Sequence, residues 1–183
     1  MERSVSSVTA SLVPPEVKMI ALCLSVNMAG SVVVAGLMAY FKGTAFGTFQ
    51  LPELLFLCFS SANVLSRPLV AVLRAYKRRP PLSAIVSLTC TRSLAVAACF
   101  GAAFAPLTGQ TDETVAAATL FTCFALLGGS LVTWCFTMAR DAAGDDADAA
   151  VQTSRVMNLH QNAGLTLAGA FNCSLALLRA HLK

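Results

Sequence analysis

The sequence predicts an all-α polytopic membrane protein: a bundle of five transmembrane helices with the amino terminus on the cytoplasmic side. Three observations predict it. Charged residues make up only 12% of the 183 residues, about half the share of an ordinary globular domain. Hydrophobic residues make up 56%, and mean hydropathy is +0.70. The apolar residues fall into five runs, each near or above the roughly 20 residues that span a bilayer.

The spans are expected at about 18–41, 51–76, 82–105, 114–139 and 152–178, within one transmembrane domain covering 18–183. Residues 1–17 lack the charged-then-apolar order of a secretory signal and are expected to form a disordered leader. Pro14-Pro15 precede the first span and Gly43 follows it, which are start and stop signals for a helix. Pro52 falls in the first turn of the second span, where proline is tolerated. Pro80-Pro81 and Pro106 bracket the third. The fifth opens with a polar turn and becomes strongly apolar near Leu165. Ala, Ser and Cys in the third span, and Gly128, Gly129, Gly164 and Gly169 in the last two, suit close helix packing in lipid. No span alternates at period two, which disfavours a β-barrel.

The loops set the orientation. Arg74, Lys77, Arg78 and Arg79 cluster between spans two and three, so that loop is expected in the cytoplasm. The amino terminus then lies inside and the carboxy terminus outside, although Arg179, His181 and Lys183 run against the rule. The loop over 140–154 is expected inside. Its Asp141, Asp145, Asp146 and Asp148 fit a solvated, flexible acidic loop, since the Gly and closing Glu of a calcium-binding EF-hand do not fall in place. No stretch reads as an address to a particular membrane.

Seven cysteines all fall in apolar runs without CxxC spacing, as small buried side chains do. His160 and His181 lie far from any cysteine pair, so no metal or other cofactor is expected. There is no HExxH, no GxSxG and no nucleophile beside a base, so an enzyme is not expected. A basic face with interleaved aromatics is missing, which argues against nucleic acid as a partner.

The candidate site residues are Asn63, Arg67 and Arg92. A cation at membrane depth costs several kcal/mol or more, which makes it a functional hypothesis by default. Arg67 and Arg92 sit at similar depth, roughly 14 Å from the shared cytoplasmic loop at 1.5 Å per residue. Asn63 and Arg67 are four apart and share a helix face. No carboxylate lies inside any span. The partners open to the arginines are backbone carbonyls and amides such as Asn63 and Asn27, a polar or anionic ligand, or a carboxylate from another chain. Snorkelling of either arginine to the cytoplasmic surface is the other reading. The many amides and hydroxyls in the spans suit either a polar path or interhelical hydrogen bonds.

The stretch Asn63-Val64-Leu65-Ser66-Arg67, followed by Pro68-Leu69, occupies the place of an Asp-x-x-Gly-Arg motif, with Arg92 about two dozen residues on in TCTRSLAVAACF. Gly128-Gly129-Ser130-Leu131 and Met138-Ala139-Arg140 follow, then the pairs Ala163-Gly164 and Ala168-Gly169. In this order and spacing the chain resembles the last five of the eleven spans of the equilibrative nucleoside transporters. The resemblance covers about nine-tenths of the chain and about half of that fold. It implies facilitated diffusion of nucleosides or similar polar solutes, with Asn63, Arg67 and Arg92 contacting them. Alternating access moves one bundle against another, so a partner membrane chain or self-association is expected. Asn63 and Ser66 stand where the family has Asp and Gly. The alternative is a non-transporting accessory or structural subunit of a larger membrane complex, whose neighbours supply the anions.

Overall fold

The computed structural model describes residues 13–41, 50–75, 79–104 and 111–181. Almost all of these belong to five helices: α1 (Pro15–Leu37), α2 (Leu51–Ala75), α3 (Leu82–Phe104), α4 (Thr111–Ala143) and α5 (Ala147–His181). All five are long and apolar enough to cross a membrane. The expected all-α five-helix bundle forms, and its helices are those of an integral membrane protein.

Local chemistry explains the boundaries. Pro15 opens α1, three residues before the expected start, because proline is pre-organised for the first helical position. Of the expected leader, residues 1–12 lie outside the described residues. A short 3-10 turn, Met38–Tyr40, continues α1. At the start of α2, the Glu53 carboxylate accepts a hydrogen bond from the Gln50 N–H at 3.3 Å, occupying a donor the helix leaves open. Lys77 and Arg78 of the basic loop lie outside the described residues.

The expected acidic loop over 140–154 is instead mostly helix. Helix α4 runs on to Ala143 and α5 begins at Ala147. Gly144 makes the turn with φ 66°, a conformation that favours glycine after a helix. Asp146 then caps α5, its Oδ1 accepting from the N–H groups of Asp148 at 2.9 Å and Ala149 at 3.3 Å. The alanines on both sides have the highest helix propensity. A count of charges concealed both the cap and the propensity.

Helices α1 and α4 form the centre. Helix α1 packs on α3, α4 and α5; α2 packs on α4; and α4 also touches α3 and α5. Burial follows this plan: 44% of the most apolar window of α1 is buried, against 11% for α5. Two apolar clusters make up the core. One gathers Leu37, Phe41, Leu55, Phe59 and Phe121; the other gathers Val17, Leu24, Ile85, Leu131 and Trp134. Between them lies a polar layer of buried Asn27, Ser66, Thr89 and Arg92. Asn27, Asn63, Arg92, Gly128 and Gly164 each lie within about one turn of the midpoint of their helix.

Helix α5 reaches α1 at this same level. A Cβ on Gly164 would run into the backbone carbonyl of Ser25, so the two backbones touch where glycine stands. A methyl at Gly101 would meet no atom within 4 Å. Gly164→Val should therefore destabilise the bundle by about 1–3 kcal/mol through overpacking. Gly101→Ala should be neutral or slightly stabilising. Denaturant titration of the purified protein in mild detergent reads both effects.

Candidate functional site

Arg92 enters the polar layer from α3 and is 2% exposed. Its Nη1 donates to the Asn27 backbone carbonyl at 2.8 Å and to Asn27 Oδ1 at 3.1 Å. Its Nη2 donates to Ser31 Oγ at 2.8 Å, and its Nε to the Phe124 carbonyl at 3.2 Å. The guanidinium carbon lies 3.9 Å from the centroid of the Phe124 ring, a cation–π contact whose worth rises when water is excluded. Every acceptor is neutral.

The acceptors are themselves fixed. Asn27 Nδ2 donates to the Cys23 carbonyl at 2.8 Å and to Thr89 Oγ1 at 2.9 Å. That sets the amide so that its oxygen faces the guanidinium. Ser31 Oγ donates to the Asn27 carbonyl at 3.0 Å, which turns its lone pairs toward Arg92. Gly128 leaves room for the guanidinium, since a Cβ there would collide with Arg92 Nη2 and Cζ. Hydrogen bonds to a charged group contribute about 1.5–3 kcal/mol each. Four of them, with the ring contact, are of the size needed to offset burial of the charge. Arg92 thus ties α1, α3 and α4 together.

Asn63 and Arg67 are placed differently. Both are exposed residues of α2, but Asn63 stands at the edge of the α4 contact with its Oδ1 against Gly129, beside Ser66, whereas Arg67 is turned outward. Gly129 follows the Gly128 that makes room for Arg92, so the pair lies at the level of the polar layer. The Asn63 backbone carbonyl accepts from Ser66 Oγ at 2.6 Å. Arg67 makes no hydrogen bond or ion pair among the described residues. Pro68 lies within α2; lacking an N–H, it leaves the Val64 carbonyl without its i+4 donor. Val64 is 66% exposed. A cation and a freed carbonyl therefore lie within about one turn on the outer face, with the Asn63 amide at its edge, against α4.

The structure does not bring the two arginines together. Arg92 is enclosed by α1 and α4, whereas Arg67 faces away from the bundle. Beside Arg92, between α3 and α4, is a pocket of about 140 Å³ lined by residues including Thr91, Leu120, Cys123 and Leu127. Its walls are apolar, and the guanidinium offers it almost no polar surface. At the α2–α3 end, Asp141 of α4 pairs with Arg74 and Arg79, each at 3.3 Å. The sequence points to Asn27 and to backbone carbonyls as partner types, but not to Ser31, to Phe124 as the owner of one carbonyl, or to the space at Gly128. A Gly-Gly pair mid-span at the depth of an arginine was the available signal.

No family model, curated protein or solved structure matches the chain.

A mutant cycle tests the clamp. Arg92→Leu should cost about 3 kcal/mol of unfolding free energy, the scale of charge-assisted hydrogen bonds lost. Asn27→Leu should cost at least as much, because it leaves a buried charge short of partners. The double variant should cost less than the sum of the two, as residues in one network do. Denaturant titration in detergent checks all three; strict additivity would contradict the network.

Proposed function

We propose that the chain is a nucleoside transporter-like half-bundle. It carries nucleosides or similar polar solutes by facilitated diffusion, along a path that its α2 face lines and a partner bundle completes. The observation that carries this reading is the outward Arg67 beside Asn63 at mid-span, with no hydrogen bond or ion pair among the described residues. A guanidinium there costs several kcal/mol against lipid. Against a hydrated path or a polar solute, that cost falls away.

The interior supports placing the path outside the five helices. The polar layer is filled by Arg92 and its acceptors, and the pocket beside it is small and apolar. Asn63, the Val64 carbonyl and Arg67 offer donors and acceptors of the kind a ribose or a base requires. The described acidic residues of the helices, Glu16, Glu53, Asp112, Glu113, Asp141 and Asp148, all sit in end turns. No mid-span carboxylate among the described residues is available for proton coupling, so movement down a gradient fits.

A second reading rests on the same side chain. Arg67 without an anion also fits an accessory subunit whose neighbour supplies a carboxylate.

Vesicles reconstituted with the chain, together with any membrane chain that purifies with it, should take up labelled nucleoside. Arg67→Ala should lower uptake at least tenfold, roughly the 1.4 kcal/mol of one lost charge-assisted contact. Circular dichroism and thermal midpoint should stay unchanged. Uptake equal to protein-free vesicles, with a tightly bound neighbour chain lost on Arg67→Ala, would instead support the subunit reading.

A further inference from the structure

Helix α5 is the least buried of the five, with 11% of its span window covered. Its outward side is not simply apolar. Asn158, Asn162, Thr166 and Cys173 are exposed and, with Gly169, follow at intervals of four, four, three and four residues. They therefore lie along one face. Asn158, Asn162 and Thr166 form no side-chain hydrogen bond among the described residues. A Cβ at Gly169 would meet nothing within 4 Å.

The level of this stripe matters. Gly164 touches the Ser25 carbonyl, so Asn162 and Thr166 flank the middle of the bundle. An asparagine side chain is too short to reach a headgroup region roughly 15 Å away, half of a 30 Å hydrocarbon core. Its amide at this depth meets lipid or another protein.

We infer that this α5 face is an interface with a second copy of the chain, the two α5 helices packing side by side about a two-fold axis. Two copies inserted in the same sense bring like residues together at the same depth. An amide can both donate and accept, so Asn158 and Asn162 are complementary to themselves. Gly169 permits close approach of the two backbones, and exposed Leu159, at 67%, lies beside the seam. The α2 face cannot do this, because Arg67 would meet Arg67. The inference does not rest on the transport reading and involves none of its residues.

Cys173 reports on the interface directly. Full-length protein in liposomes, counted by single-molecule photobleaching over a dilution series, should be dimeric. Copper–phenanthroline should join the copies through Cys173. Cys173→Ser should abolish that product, whereas Cys90→Ser and Cys123→Ser, at exposed cysteines on other helices, should not. Asn158→Leu with Asn162→Leu should raise the protein-to-lipid ratio for half-association about tenfold, at about threefold per hydrogen bond lost. A monomer at every dilution overturns the inference, as does a cross-link that survives Cys173→Ser. A dimer whose dilution curve ignores both leucines overturns it as well.

Discussion

The bundle depends on one buried cation without an anion. Inside lipid, helices gain little from hiding apolar surface, because the solvent is as apolar as the core. Close packing and hydrogen bonds must define the arrangement. Arg92 supplies directional bonds from α3 to Asn27 and Ser31 on α1 and to the Phe124 carbonyl on α4. Few other side chains offer five donors in a fixed fork. Sliding α3 by one residue, a rise of about 1.5 Å, would break the set and strand the charge. The clamp therefore fixes register as well as proximity.

The same layer holds its two arginines in different surroundings. Arg92 is satisfied within the chain, with its acceptors held by bonds of their own. Arg67, one turn from the middle of α2, is left with its donors facing out. Two arginines equivalent by sequence depth thus receive opposite treatment. What differs is the neighbour: α3 lies against both central helices, whereas α2 leans on α4 alone, keeping Asn63 at that contact and turning Arg67 outward. The functional reading follows the unsatisfied member of the pair.

Much of the fold was legible from residues alone. Five apolar runs gave five helices, and prolines marked several starts. The hairpin between α4 and α5 is hidden in the charge pattern, because Asp146 reads there as one acid among several, whereas in the structure it caps a helix. The site was legible only in part. Asn63, Arg67 and Arg92 stood out because polar groups at span depth are costly. Which arginine is enclosed depends on which helix packs where, and periodicity within one helix does not encode that. The role of Gly128 was hidden for the same reason: a small residue states that something comes close without saying what.

The most direct measurement is the solvent exchange of the two arginine Nε–H groups, followed by NMR on 15N-arginine-labelled protein in a lipid nanodisc. The account predicts that the Arg92 signal persists long after transfer to D2O, held by the Phe124 carbonyl in a layer closed to water, while that of Arg67 disappears at once. Equally fast loss of both would contradict the clamp and, with it, the separation of the enclosed arginine from the outward one.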